Sequence, residues 1–318
     1  MQAFRGTIFL TGAVRPSIMR GMKKYKIIAN PAAGRGKSRA VVMAVLELFK
    51  QKGAIFDLEL TTGPGDAANI ARRACGEFDV IVAVGGDGTV NEVLPGMLFS
   101  GKPLGIVPGG SGNDFVKTLN IPNDIEKAVD IVLAGRTKVV DAGKINDRYF
   151  ANGVGFGFDA AVNRASYQIN HQKRGLWLYI CAMVKTLGTF DAVPIKVSMN
   201  GRSMEQETFL LTVGNGTTCG GGFKLTPYAK IDDHLLDVTI VRPLGIARLL
   251  WHLPKVFLGT IDRVKKYASL DRAPKLTVEA ERPVPVHVDG EMFGEGTRYE
   301  IEVVPNALTV IGDFRSKD

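Results

Sequence analysis

The chain has 318 residues, 45% of them hydrophobic and 23% charged, a composition that suits a folded globular protein and excludes a disordered one. The length exceeds the roughly 250–300 residues at which a single core stops growing, so two domains are expected. Forty Lys and Arg against 32 Asp and Glu leave a formal charge of +8. This suits phosphorylated ligands or an anionic membrane surface, while the dispersal of the basic residues and the lack of any nucleic-acid motif set nucleic acid aside as a partner.

Residues 1–22 read as a flexible extension, since the apolar run 7–10 is too short for a secretory signal. No apolar stretch reaches the ~18 residues needed to cross a bilayer, the longest running from Leu176 to Val184. Three cysteines (Cys75, Cys181, Cys219) without metal-ligand spacing point to a reducing cytoplasm.

From Tyr25 onward short β-rich runs alternate with helical periodicity: a strand over 25–29, a helix over 39–52, a strand over 55–61, a helix over 67–75 and strands over 80–84 and 104–107. Continuous Val/Ile runs mark strands buried on both faces, so a doubly wound α/β nucleotide-binding domain is predicted over 23–142, rejoined by about 306–318. Between 143 and 305 the β-runs are punctuated by Gly, Pro and Asn, which predicts a mainly antiparallel β-sandwich. Its strands fall over 195–199, 209–213, 236–241, 276–280, 284–288 and 299–304, with helices over 176–187 and 246–258. Pro95 and Pro254 are expected to kink or interrupt their helices.

The strongest chemical signal is Gly85-Gly86-Asp87-Gly88-Thr89, directly after the strand 80–84. Glycines at the carboxyl end of a parallel strand permit positive φ and let backbone N–H groups approach a phosphate. Asp87 would repel that phosphate unless a cation such as Mg²⁺ lies between, and Thr89 is expected to cap the next helix. An ordinary glycine turn is the alternative. Two further loops, Asn30-Pro31-Ala32-Ala33-Gly34 and Pro108-Gly109-Gly110-Ser111-Gly112-Asn113-Asp114, follow strands of the same sheet. The P-loop frame fails because Pro31 stands at its first glycine, and the first β-α turn has no dinucleotide fingerprint.

These loops, together with Thr61 ahead of Gly65-Asp66-Ala67, Asn91-Glu92, the segment Asn152 to Asp159 and Asp289-Gly290-Glu291, resemble the diacylglycerol kinase catalytic-domain family, the soluble bacterial lipid kinases most of all. The likeness runs from about Lys23 to Ile311. It implies ATP and Mg²⁺ as cofactors and an ATP site of Asn30, Pro31, Ala32, Ala33, Gly34, Thr61, Gly85, Gly86, Asp87, Gly88, Thr89, Val90, Asn91, Glu92 and Ser111. Relatives usually carry threonine at this last position.

The resemblance also implies Glu291 as the base that takes a proton from a lipid hydroxyl, alongside Asp87 in the catalytic machinery. Read without it, Asp289-Gly290 is a hairpin turn and Glu291 a solvated strand residue. It further implies a structural Mg²⁺ bound by Asp233 and the carbonyls of Lys230 and Leu235. His234 there replaces the usual glycine, so the turn must take an unusual φ.

The function implied is transfer of the γ-phosphoryl of ATP to a lipid hydroxyl, most simply that of diacylglycerol, by a cytoplasmic enzyme bound peripherally to an anionic membrane. A sphingoid base, polyprenol or glycolipid acceptor, a catalytically silent nucleotide or lipid sensor, and homodimerisation all stay open. Two basic-apolar stretches, 171–179 and 242–266, are candidate lipid-facing surfaces, with packed helices as the alternative.

Overall fold

The structure, a computed structural model, describes residues 22–31, 38–110, 112–169 and 175–314. Of the predicted extension 1–22, residues 1–21 lie outside them. The chain divides into two compact units, Met1–Val140 with Ala307–Asp318, and Asp141–Asn306.

The first unit alternates strand and helix: β1 (Lys24–Ala29), α1 (Ser38–Gln51), β2 (Ile55–Leu60), α2 (Asp66–Ala74), β3 (Val80–Gly85), α3 (Asp87–Met97), β4 (Pro103–Pro108), α4 (Asp114–Thr118) and α5 (Ile125–Ala134). The strands run parallel in the order β2-β1-β3-β4. Helices α1 and α5 pack together, as do α2 and α3, so all six residues of β3 are buried. This is why its sequence is an unbroken Val/Ile/Ala run rather than an alternating one. The strand order reverses between β1 and β3, and ligands in such sheets bind at the carboxyl ends flanking that reversal. Asn30 follows β1 there, and Thr61, just past β2, donates its N–H to the carbonyl of Ala29 at 3.0 Å.

One ion pair crosses the β1–β2 ladder inside the core. Lys26 faces Asp57 in register and lies 2.6 Å from both Asp57 and Glu59, with its side chain only 9% exposed. Burial alone would lower its pKa, but hydrogen bonds to both carboxylates more than offset this, and the ammonium is held above its usual value.

The second unit holds β6 (Arg148–Phe150), β7 (Gly153–Gly157), α6 (Phe158–Gln168), α7 (Gly175–Leu187), β8 (Val193–Met199), β9 (Arg202–Thr208), β10 (Leu210–Gly214), β11 (Leu236–Val241), α8 (Ile246–Leu258), β12 (Ala268–Ala273) and β13 (Lys275–Val288). The connecting strand β5 (Thr137–Ile145) enters it and β14 (Glu291–Ile311) leaves it. Predicted strands 276–280 and 284–288 are one strand, β13, bent at a bulge between Glu279 and Val284. Its first half pairs with β8 and its second with β7, so one bent strand serves both layers of the sandwich. Phe156, Leu211, Val278, Val286 and Ile301 meet in the core between them.

Three helices were not anticipated: α4, α5 and α6. Neither proline interrupts its helix. Pro95 sits within α3, which ends two residues later, and α8 continues through Pro254 to the left-handed cap Gly259.

Candidate active site

At the carboxyl ends of β3 and β4 two glycine loops touch. Gly109 donates its N–H to the carbonyl of Gly85 at 2.8 Å. A Cβ on Gly110 would stand 2.5 Å from the Cα of Gly86, and one on Gly85 would stand 2.2 Å from the hydroxyl of Thr89. None of Gly85, Gly86 and Gly88 has positive φ, which corrects the expectation: these glycines are needed for close approach, not for left-handed backbone. Gly110→Ala is therefore expected to part the loops and weaken ATP binding at least ~10-fold while costing about 1–3 kcal/mol of stability, as read by calorimetric titration and urea unfolding.

Helix α3 begins at Asp87, with Gly86 as its cap and no side-chain capping bond, so Thr89 lies in the first turn rather than at the cap. Its hydroxyl is buried without a hydrogen-bond partner, beside the N–H groups that an α-helix leaves open at its amino end. Val90 and Asn91 are buried in the same helix, where Glu92 follows. Asp87 Oδ1 accepts the N–H of Asp114 at 2.7 Å and that of Phe115 at 3.4 Å, which ties the β4–α4 loop to α3. Lys117 is 2.7 Å from Asp114. Asn113, at φ 51°, accepts from the Gly110 N–H at 3.1 Å and donates to its carbonyl at 3.0 Å.

A Cβ on Gly112 would lie 2.7 Å from Asp87 Oδ2 and 3.6 Å from Asp114 Oδ2, so two carboxylate oxygens face one spot. That donor set fits Mg²⁺, which takes one or two carboxylates and completes its shell with phosphate and water. Ala32, Ala33, Gly34 and Ser111 lie outside the described residues, and Pro31 is exposed at the end of its turn.

In the second unit Asp289 (φ 49°) and Gly290 (φ 81°) form the two-residue turn between β13 and β14, the left-handed pair that Asp-Gly favours. The turn also carries chemistry. The Asp289 carboxylate accepts three successive backbone N–H groups, from Ala151, Asn152 and Gly153, at 2.8–2.9 Å. The Gly290 carbonyl accepts from Asn163 at 2.8 Å and Tyr167 at 2.9 Å, both on α6. His287, 3.2 Å from Asp159, accepts the N–H of Gly290 at 3.3 Å. Glu291 is the first residue after this pinned turn, and its Oε2 is 2.5 Å from Arg148. Arg148, Asn163 and Tyr167 were not singled out from the sequence. Arg148 lies 143 residues from its partner, a separation no local signal spans.

The turn before β11 carries the residues of the expected metal site. His234 does take a left-handed φ of 60°. Its N–H and ring nitrogen, however, engage the buried Asp141 at 2.8 and 2.9 Å. Asp233 accepts the N–H of Leu235 at 3.2 Å and faces Arg272 at 3.6 Å. Arg272 also lies 3.4 Å from Asp237 and donates to the carbonyl of Tyr228. A guanidinium thus supplies positive charge beside Asp233, the carboxylate that the resemblance assigns to Mg²⁺ together with the carbonyls of Lys230 and Leu235. Among the described residues no cluster of three acidic, His or Cys side chains is arranged for a metal.

Burial pushes the Asp237 carboxyl up to about 6, against the opposing charge of Arg272 and with a further upward push from Asp233. The folded state then binds this proton more tightly than the unfolded chain does. Its contribution is most favourable below about pH 4 and is lost as pH rises through 6. Asp237→Asn is expected to match the parent at pH 4 and exceed it by about 2 kcal/mol at pH 8, as read by urea unfolding.

Comparison with known proteins places this geometry. The family model of the diacylglycerol kinase catalytic domain matches residues 24–145, and that of the YegS C-terminal NAD kinase beta sandwich-like domain matches residues 152–312. A diacylglycerol kinase of Bacillus subtilis is 30% identical over 281 residues, 86% of this chain and 91% of that protein. One of Staphylococcus aureus is 31% identical over 86% of this chain and 87% of its own length. A crystal structure titled as a diacylglycerol kinase from Bacillus anthracis superimposes with a TM-score of 0.72 at 26% identity, covering 92% of this chain and 98% of that one. With both units matched in order, the chain belongs to the diacylglycerol kinase catalytic-domain family.

Proposed function

We propose that the protein is an ATP-dependent lipid kinase that moves the γ-phosphoryl group of ATP onto the free hydroxyl of diacylglycerol, giving phosphatidate and ADP. The observation that carries this reading is the contact of the Gly85-Gly86 and Gly109-Gly110 loops beside the open amino end of α3, in a chain of this family. Backbone N–H groups of the first turn of α3 and the Thr89 hydroxyl receive phosphate oxygens, with Asn30, Pro31, Thr61, Val90, Asn91 and Glu92 around them. Ala32, Ala33, Gly34 and Ser111 complete the assignment. Asp87 and Asp114 would hold Mg²⁺, which when bound neutralises phosphate charge as the bond to the leaving ADP oxygen lengthens.

Glu291 takes the hydroxyl proton while the acceptor oxygen bonds to phosphorus and the bond to the β-phosphate oxygen breaks. Arg148 fixes Oε2 of Glu291 and leaves Oε1 for the proton. The relatives named diacylglycerol kinase support diacylglycerol as acceptor. No helix among the described residues is long and apolar enough to cross a membrane, which supports a peripheral rather than a helix-spanning encounter with lipid. The same reading puts the enzyme in the cytoplasm, where its three cysteines stay reduced.

The test is transfer of radiolabelled γ-phosphate to diacylglycerol in mixed micelles, with sphingosine, undecaprenol and NAD as parallel acceptors. Label is expected in phosphatidate and is expected to vanish with EDTA. Label on another acceptor overturns the substrate, and no transfer to any of them overturns the activity.

A further inference from the structure

We propose that α8 and the basic residues flanking it dock on an anionic lipid bilayer, with Trp251 inserted at the headgroup level. The proposal rests on the lipid-kinase reading only for the reason a bilayer should be visited; the surface itself argues for the occupant.

Helix α8 has apolar residues on two faces. Leu249, Leu253 and Val256 are half-buried against a core cluster that includes Phe158, Phe209 and Ile261. Beside that face Ile246 (52%), Leu250 (48%), Trp251 (77%) and Leu258 (73%) are exposed, and no residue of the helix is buried. At 3.6 residues per turn Ile246 and Leu250 fall on one line and Trp251 and Leu258 on another about 100° away, and the exposed Ala247 and Pro254 fall between them, so together they form one broad apolar stripe. A stripe of this kind is what a helix lying in a membrane interface presents.

Charge selects an anionic bilayer over an apolar partner. Between Arg242 and Lys266 the chain carries Arg242, Arg248, Lys255, Arg263, Lys265 and Lys266 against the single acid Asp262. All of these cations except the partly buried Lys255 are exposed. Arg248 and Lys266 lie 6.0 and 5.6 Å from the ring of Tyr267, which places two cations around one aromatic side chain at the edge of the helix. Basic residues next to an apolar stripe attract acidic phospholipid headgroups.

The tryptophans agree. The chain has two, Trp177 on α7 and Trp251 on α8, and both are more than half exposed. Both helices contribute to the same core cluster, through Ala182 and Met183 of α7 and Leu249, Leu253 and Val256 of α8. Tryptophan is normally well buried in a soluble protein, and its amphipathic ring is enriched where lipid meets water.

The test uses the full chain carrying Trp177→Phe, so that Trp251 is the sole fluorophore, with vesicles of phosphatidylcholine containing 30 mol% phosphatidylglycerol. The expected result is a blue shift of Trp251 emission and quenching by brominated acyl chains, both absent with pure phosphatidylcholine. Trp251→Glu and the double variant Arg248→Glu/Lys266→Glu are expected to weaken cosedimentation with these vesicles about tenfold or more. Transfer to a short-chain diacylglycerol dispersed as monomers should be unchanged in both variants. Cosedimentation with Trp251 unshifted and unquenched overturns the proposal, as does failure to bind the anionic vesicles. Loss of transfer to the monomeric acceptor in the parent protein, with Trp251 still quenched, overturns the kinase reading and leaves the docking surface standing.

Discussion

Glu291→Gln is expected to lower turnover at least ~100-fold while leaving ATP affinity and the unfolding midpoint close to those of the parent. The amide keeps the shape of the carboxylate but cannot take a proton, so the loss is that of general-base assistance, usually 10²–10⁴-fold. The fold should be indifferent. The Glu291–Arg148 pair is about one-third exposed on each side, and pairs so placed contribute about 0–1 kcal/mol. The turn is held by Asp289 and Gly290 through seven other hydrogen bonds, none of which involves Glu291. Steady-state kinetics with calorimetric ATP binding decides it: a folded, ATP-binding and fully active variant removes Glu291 from the mechanism. A parallel drop in ATP affinity would instead show that the residue supports nucleotide binding.

The second large effect concerns stability. Lys26→Met is expected to cost about 3–5 kcal/mol, because it leaves Asp57 ionised in the core without its counter-charge. Asp57 Oδ1 already lacks a hydrogen-bond partner, so the ammonium is what compensates that carboxylate. The double variant Lys26→Met/Asp57→Leu should recover most of the loss, since a well-packed apolar pair is often as stable as the buried ions it replaces. Urea unfolding of the parent and the variants reads this as a double-mutant cycle. A single variant within 1 kcal/mol of the parent would mean that water reaches Asp57 despite its burial.

The first unit was largely legible in the sequence because a buried parallel strand announces itself. Val80 to Val84 is apolar throughout, and the glycine motif at its end marks where ligand chemistry belongs. Helix α5 was legible too and was passed over: Ile125, Ala128, Val129 and Val132 recur at helical spacing behind an Asp124 cap that accepts the Lys127 N–H. What the sequence hid is tertiary. The need for glycine at 86 and 110 comes from their contact across two loops, and Gly110 has no ligand-independent signal of its own. The Asp-Gly turn was visible as a turn, but its anion nest is built from amides nearly 140 residues earlier. Arg272 is similar. The resemblance makes Asp233 a cation ligand, and only the pairing of β11 with β12 brings a guanidinium beside it.

The last residues of β14 bear on how the protein is made. Thr309 and Val310 complete the parallel sheet beside β4, Ala307 accepts the Phe99 N–H at 2.8 Å, and the Gly312 N–H reaches the Arg136 carbonyl. A ribosome delivers these residues only after all of 141–306. Domains tend to fold in order of synthesis, yet here the earlier unit must wait with the outer edge of β4 unpaired while the later one is completed. Folding of the nucleotide half is thus gated by translation of the sandwich. Ribosome-bound chains stalled at residue 305 should therefore expose β4 to proteolysis even though every residue of the glycine loops has already been made.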